Sequence, residues 1–266
     1  MPALLYREVF SIFFTIIVII LTFVIFRKQK IEFVEEPETG YKRELIFCLL
    51  WFLLYIILAM LSCAFNIDII NDVTNWLFLV LFPLLILTKL RKEKLIQTLK
   101  EIGLKRMDKN TLIKVLLVYI LYIGVIILVF SLGEETASIL SNIPEILVKF
   151  LIYFCLMIFT AGFTEEFFFR GIIQRCLINS LKKPYIAILV SSILFALYHF
   201  SFAFYLWDGT AGNIINSLKM IMTEHLVAGF ALGLIYYKSN KNLWSSIIFH
   251  ACSNAIIMSF SVIITG

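Results

Sequence analysis

The stretch Phe163-Thr164-Glu165-Glu166-Phe167-Phe168-Phe169-Arg170-Gly171 places two adjacent carboxylates and an arginine inside an apolar run that covers residues 146–178. A charged side chain at the centre of a membrane helix costs roughly 2.5–3.5 kcal/mol, so such residues are rare and usually functional. Glu166 and Arg170 are four residues apart and can pair on one helix face, whereas Glu165 is rotated by about 100° and can face elsewhere. The stretch therefore predicts a polar site within the membrane.

The composition around this stretch is that of a polytopic membrane protein. Of the 266 residues, 61% are hydrophobic and only 15% are charged, whereas a soluble domain carries about 25% charged residues. Several apolar segments approach the roughly 20 residues that a helix needs to cross a bilayer. These segments are 8–26, 45–65, 74–88, 112–132, 146–178, 185–204, 218–237 and 243–265. We therefore expect an all-α bundle of about eight transmembrane helices in a lipid bilayer.

Two of these segments depart from a simple membrane crossing. The third is short and contains Pro83, so we expect a kinked or partly inserted helix. The fifth is too long for one crossing, and we expect it to project into the cytosol beyond Arg170. The five cysteines lie in or beside apolar runs without CxxC spacing, which predicts packing residues rather than a disulfide framework.

The basic residues alternate along the chain in a way that predicts membrane topology. Loops 27–44, 89–109, 175–183 and 238–241 carry five, eight, three and two Lys or Arg residues. The intervening loops are nearly devoid of basic residues. The positive-inside rule then places the basic loops in the cytosol and both termini outside. The net charge of +5 is distributed as this topology signal, and we do not expect nucleic acid binding.

Three further stretches carry weaker predictions. Residues 89–109 have apolar positions at helical spacing among many charges, which is typical of an interfacial amphipathic helix or of a solvated linker helix. Residues 201–213 are aromatic and contain glycine, which favours an aromatic belt at the membrane surface over a re-entrant flap. Gly229 and Gly233 lie four residues apart and predict close helix packing.

Two of the three histidines lie in similar apolar contexts. His199 follows Phe195 by four residues in the sixth segment, and His250 precedes Asn254 by four residues in the eighth. Counted at about 1.5 Å per residue from the cytosolic ends of the segments, Glu165 and His199 lie roughly 20 Å deep, and His250 and Asn254 roughly 11 and 17 Å deep. Polar residues from three helices therefore fall in one slab of the membrane.

These residues supply the groups that hydrolysis of an amide requires. A buried glutamate can act as a general base, and a histidine facing it can share a proton or hold a water molecule. A second histidine and an asparagine on one helix face offer donors where an oxyanion develops. No serine or cysteine is clearly paired with a base, which disfavours a covalent nucleophile. His225, beside Glu224, has no comparable motif, and we expect a structural role for that pair.

The motifs, in this order, resemble those of the CPBP family of intramembrane proteases, which includes the type II CAAX prenyl endopeptidases and the bacterial Abi proteins. They are Glu-Glu-x-x-x-Arg (Glu165, Glu166, Arg170), Phe-x-x-x-His (Phe195, His199) and His-x-x-x-Asn (His250, Asn254). The resemblance covers about residues 145–260. We accordingly divide the chain into N-terminal transmembrane helices with the cytosolic amphipathic segment, 1–140, and a CPBP-like catalytic core, 141–266.

The resemblance implies a glutamate-dependent endopeptidase of eight helices, with no metal or other cofactor. It implies that Glu165 activates water with His199 as its partner, and that His250 and Asn254 stabilise the oxyanion. It also implies that Glu166 and Arg170 orient the site, and Phe195 supports His199 from the preceding turn. The expected partner is a membrane-associated peptide or protein substrate, in a prokaryotic cell membrane.

Two alternatives remain open from the sequence. The same residues could form a zinc protease site, since two histidines and carboxylates are possible ligands, although there is no HExxH motif. The chain could instead be a non-enzymatic bacteriocin-immunity or scaffold protein, in which the buried carboxylates hold helices together or relay protons.

Overall fold

A computed structural model describes residues 2–29, 38–67, 70–131 and 142–265, and within these ranges the chain is helical with no strand. The helices in chain order are α1 (Pro2–Ile25), α2 (Glu38–Phe65), α3 (Asp72–Arg91), α4 (Leu95–Glu101), α5 (Lys109–Ser131), α6 (Ile143–Leu181), α7 (Pro184–Tyr198), α8 (Phe200–Tyr205), α9 (Ile214–Lys238) and α10 (Leu243–Thr265). The predicted boundary between residues 140 and 141 lies outside the described residues.

The helices have the lengths and compositions of membrane spans. Among the described residues, six are long and apolar enough to cross a membrane, and shorter apolar helical stretches cover Ser11–Ile25 and Leu243–Ser259. This confirms the predicted all-α membrane bundle. Pro83 does not end α3, because it lies two residues after a π-helical turn over Trp76–Leu81, whose wider backbone accommodates the ring.

The second half of α6 forms the centre of the bundle. Every residue of Phe167–Gln174 is buried, whereas Ile146 is the one buried residue of Ile143–Met157. A kink separates the halves at Thr160, whose φ of −97° and ψ of −107° are not helical. The predicted projection of this helix into the cytosol beyond Arg170 stays a prediction, but this part of the helix is enclosed by the protein rather than exposed. The kink turns this part of the helix into the protein, where neighbouring helices cover its apolar side chains.

A buried ionic cluster joins four helices at one end of the bundle. Glu44 of α2 accepts hydrogen bonds from Arg91 of α3 at 2.7 and 2.5 Å and from Arg175 of α6 at 3.0 Å. Arg91 also donates to Glu101 of α4 at 2.6 Å. Two arginines from the basic loops thus neutralise two largely buried carboxylates, and the bidentate Arg91–Glu44 geometry fixes how the helix ends meet.

The basic segment 89–109 does not form one amphipathic helix along its whole length. Only α4 is helical between α3 and α5, and Ile102 after it is fully buried. The Gly103 carbonyl accepts a hydrogen bond from the Leu243 backbone N–H at 2.9 Å, and Asn242 Nδ2 donates to the Lys105 carbonyl at 2.9 Å. These two hydrogen bonds hold the segment against the start of α10.

Replacing Gly103 by alanine is expected to destabilise the fold by at least about 2 kcal/mol. Gly103 has a φ of +105°, and a Cβ there would lie 2.4 Å from the Lys241 carbonyl oxygen, which is backbone and cannot move aside. Gly124→Ala in α5 is the matched control, since a Cβ there meets nothing within 4 Å. Thermal unfolding in detergent measures both variants, and equal melting temperatures would contradict the expectation.

Two interhelical hydrogen bonds fix the register of α6 against α9. Arg170 Nη2 donates to the Gly229 carbonyl at 3.2 Å, and one turn further Gln174 Nε2 donates to the Gly233 carbonyl at 2.8 Å. The absence of side chains at the two glycines permits this approach, because a Cβ at Gly233 would lie 2.5 Å from Gln174 Oε1. The predicted close packing at this glycine pair is confirmed, and it holds Arg170 at the site described next.

Candidate active site

The close crossing of α6 and α10 brings the polar motifs together. Gly162, in the π-helical turn just before Glu165, faces α10. A Cβ at Gly162 would lie 3.2 Å from both Ala251 Cβ and the Ile247 carbonyl oxygen. The small residue lets α10 approach α6, and His250, next to Ala251, then lies against the two glutamates.

Glu166 is a fully buried carboxylate that contacts two side chains, Arg170 and His250. Its Oε2 lies 3.1 Å from Arg170 Nε on the same helix, and its Oε1 lies 3.0 Å from Nδ1 of His250 on α10. A carboxylate accepts hydrogen bonds, so Nδ1 of His250 carries the donated proton and Nε2 points away from Glu166. Glu166 therefore orients both Arg170 and the imidazole of His250.

Glu165 faces two histidines, one from α10 and one from the junction of α7 and α8. Its Oε2 lies 3.8 Å from His199 Nε2 and 3.9 Å from His250 Nε2. Nδ1 of His199 lies 2.9 Å from the Phe195 carbonyl oxygen and donates to it, so the Nε2 lone pair is directed towards Glu165. These separations exceed a direct hydrogen bond and suit a small molecule, such as water, bound between the carboxylate and an imidazole.

The Phe195 ring contacts both histidines and the arginine of the site. Its ring lies edge-on to His199 at 4.8 Å and to His250 at 6.0 Å between ring centroids. The Arg170 guanidinium lies 4.4 Å from the centre of the same ring. Phe195 thus does more than support His199 from the preceding turn, because it keeps two imidazoles and a cation in fixed positions around an apolar face.

Asn254 lies one turn beyond His250 on α10, as the spacing predicts. Its Nδ2 lies 4.0 Å from the Met157 sulfur, and among the described residues no hydrogen bond joins it to Glu165, His199 or His250. Of the seven residues predicted for the site, six are linked to one another by a chain of contacts, and Asn254 lies at the edge of the group.

Two aromatic side chains that the sequence motifs do not include lie next to His199, and the structural role expected for His225 stays a prediction. The His225 ring centroid lies 4.0 Å from that of His199, and Trp207 stacks on His225 at 5.2 Å. His225 lacked a motif, and its position beside His199 depends on how α7 and α9 pack. Trp207 lies in the aromatic segment 201–213, where Thr210 Oγ1 donates to the Ala203 carbonyl at 2.7 Å and folds the chain back. The aromatic belt at this segment stays a prediction.

Comparison with known proteins agrees with the resemblance seen in the motifs. Residues 147–256 match the family model described as type II CAAX prenyl endopeptidase Rce1-like. A search of curated proteins found no match, and a search of solved structures also found none. All seven predicted site residues lie within the matched range. The match over residues 147–256 of this integral membrane protein confirms the family resemblance drawn from the three motifs.

Proposed function

We propose that this protein is an intramembrane endopeptidase that hydrolyses a peptide bond with a water molecule activated by Glu165 and His199. One observation carries the proposal: Glu165 Oε2 lies within 3.9 Å of the Nε2 atoms of both His199 and His250, inside a helical bundle. Three side chains that can exchange protons, from α6, α10 and the junction of α7 and α8, converge at separations that suit one bridging water molecule. A protease-family domain around them supports the same reaction class.

The reaction follows from these positions. Water donates one hydrogen bond to Glu165 Oε2 and a second to His199 Nε2, which leaves an oxygen lone pair directed at the substrate carbonyl carbon. As the carbon–oxygen bond forms, the proton passes to Glu165. The same proton then goes to the leaving nitrogen as the carbon–nitrogen bond breaks. The products are a free carboxyl group and a free amine, and Glu165 returns to its starting state.

The developing oxyanion needs a donor in the same site. When protonated on both nitrogens, His250 donates from Nε2 to the oxyanion while its Nδ1 proton stays bonded to Glu166. We assign the second donor to Asn254, one turn away on α10, whose Nδ2 turns from Met157 to the substrate. Arg170 keeps Glu166 in place and takes no part in proton transfer.

We propose a membrane-associated peptide or protein as the substrate, in a prokaryotic cell membrane. The basic loops would face the cytosol and both termini the outside, according to the positive-inside rule. The matched family is named for prenyl endopeptidases, so a lipid on the substrate is one way to deliver a peptide to a site at membrane depth. A buried site favours substrates that partition into the bilayer over soluble peptides.

Cleavage of a tethered peptide tests this proposal. The purified chain in lipid vesicles is given one peptide sequence in three forms: prenylated, joined to a transmembrane segment, and soluble. Mass spectrometry identifies the bond cut. We expect cleavage of at least one tethered form and slower cleavage of the soluble form. An immunity or scaffold protein would cut none of them, and failure with a broad peptide library would favour that alternative.

Removal of metal is expected to leave the rate of cleavage unchanged. Among the described residues, no group of three or more His, Cys, Asp or Glu side chains is arranged to hold a metal ion, and the proposed reaction needs none. The rate is measured before and after dialysis against a strong zinc chelator, together with the metal content of the purified protein. Loss of activity that added zinc restores would support the zinc alternative and contradict the glutamate mechanism.

A further inference from the structure

The kink at Thr160 in α6 leaves a backbone carbonyl without its usual helical donor. In a regular α-helix the Phe163 N–H would donate to the Phe159 carbonyl, four residues earlier. Here the Phe163 N–H donates to the carbonyls of Ile158 and Thr160 instead. An unpaired backbone carbonyl is costly at membrane depth, because no water is present to bond it. The Phe159 carbonyl is therefore open to a donor from another helix.

Trp76 of α3 supplies that donor. Its Nε1 donates to the Phe159 carbonyl oxygen at 2.7 Å. The Trp76 ring also stacks on Phe163, with 4.9 Å between the ring centroids and an angle of 15°. Trp76 thus contacts α6 on both sides of Thr160, through a hydrogen bond before the kink and through its ring after it. A tryptophan that only anchored the protein at the membrane surface would direct its N–H to water or lipid headgroups.

Trp76 is itself held in place at the start of α3. The preceding residue, Asn75, accepts a hydrogen bond through Oδ1 from the Tyr55 hydroxyl of α2 at 2.6 Å. A capping box between Asn71 and Thr74 fixes the first turn of α3. These contacts present the indole to α6 at a defined position, so its hydrogen bond can resist a straightening of the kinked helix.

The kink matters to the site because the two glutamates follow it on the same helix. Glu165 and Glu166 lie five and six residues after Thr160. The direction of α6 after the kink therefore sets where Glu165 meets His199 and His250, which lie at 3.8 and 3.9 Å. A change in the kink angle would move both carboxylates together relative to the histidines.

We propose that Trp76 is a positioning residue for the active site. Its indole satisfies the carbonyl freed at the kink and holds the second half of α6 in the direction that brings Glu165 to the histidines. The inference rests on the proposed function. It gives α3 a part in the site that the family match does not assign, since Trp76 lies outside the matched range 147–256.

Kinetics with a tethered substrate that the wild type cuts test the role in catalysis. Trp76→Phe keeps a ring that can stack on Phe163 but removes the N–H. We expect kcat to fall on the order of 10- to 100-fold with KM unchanged, since misplacement of a catalytic group by about 1 Å costs up to that much. Rates are compared at equal amounts of folded protein, so that partial unfolding is not counted as a lower kcat.

The control is Trp51→Phe, which removes an indole–carbonyl hydrogen bond of the same length. Trp51 Nε1 donates to the Phe78 carbonyl at 2.7 Å and joins α2 to a π-helical turn of α3 that carries no site residue. This variant should keep the wild-type kcat. If Trp76→Phe does not fold, 3-benzothienylalanine at position 76 carries the same test, because it keeps the full ring and has sulfur in place of the N–H.

The kink itself is measured by the distance between two spin labels, with no need for activity. The labels are attached in a Glu145→Cys, Leu181→Cys protein, at exposed positions in the two halves of α6. The two native cysteines that are not buried are first replaced by serine. A straight α-helix would hold these positions about 54 Å apart. We expect Trp76→Phe to broaden the distance distribution and shift it towards that value, and Trp51→Phe to leave it unchanged.

An unchanged distance distribution in Trp76→Phe, or a wild-type kcat in the folded variant, would overturn the positioning role. Equal losses of kcat in Trp76→Phe and Trp51→Phe would also overturn it, because the effect would then belong to the packing of α3 as a whole. An inactive Glu165→Gln beside a fully active Trp76→Phe rejects the positioning role alone. Full activity of Glu165→Gln rejects the proposed function and the inference with it.

Discussion

Replacing Glu165 by glutamine is expected to lower kcat on the order of 10³-fold, within the range of 10²–10⁴ that general acid–base catalysis contributes. Glutamine has nearly the same shape but cannot take a proton from water. The carboxylate is 7% exposed, and it has His199 and His250 at 3.8 and 3.9 Å. Removal of a buried negative charge relieves a desolvation cost, so the variant should fold at least as well as the wild type.

The matched control is Glu145→Gln on the same helix. The Glu145 side chain is 56% exposed and pairs with Lys149 at the surface of α6. Surface pairs of this kind contribute little, so the control should keep the wild-type rate and stability. A Glu165→Gln protein that cleaves as fast as Glu145→Gln would remove Glu165 from the mechanism.

Replacing Arg170 by methionine is expected to cost about 3–5 kcal/mol of folding free energy, and activity with it. Arg170 is 1% exposed and lies 3.1 Å from Glu166, which is 0% exposed. Methionine fills most of the volume but leaves the Glu166 carboxylate buried without its cation. It also removes the donor to the Gly229 carbonyl at 3.2 Å, which fixes α6 against α9. Thermal and denaturant unfolding in detergent measure the loss.

A second substitution separates the charge from the packing. Adding Glu166→Gln to Arg170→Met removes the uncompensated carboxylate, so part of the lost stability should return. Lys149→Met, which breaks the exposed pair with Glu145, should cost less than about 1 kcal/mol. If Arg170→Met and Lys149→Met shifted the melting temperature equally, the Glu166–Arg170 pair would have no special structural role.

The motif residues could be predicted from the sequence because polar side chains are conspicuous in apolar helices. A spacing of four residues identifies which of them share a helix face, as with Glu166 and Arg170 or His250 and Asn254. Distance along each helix then places Glu165 and His199 at similar depth. The helical bundle was predictable for the same reason, since the length and apolarity of each segment are local properties of the chain.

Contacts between distant segments were not predictable in this way. The bond between His250 and Glu166 and the contact between the His225 and His199 rings depend on how α6, α7, α9 and α10 pack. The burial of Phe167–Gln174 depends on the kink at Thr160, which no proline or glycine signals at that position.

The most direct test of the proposed mechanism is the rate at which the purified protein in vesicles cleaves a membrane-tethered peptide. The rate is measured for the wild type, Glu165→Gln and His199→Ala. All three are compared at equal amounts of folded protein, with a metal chelator present. We expect cleavage by the wild type and a cleavage rate lower on the order of 10²-fold or more in both variants. Cleavage at the same bond and the same rate by all three proteins would contradict it.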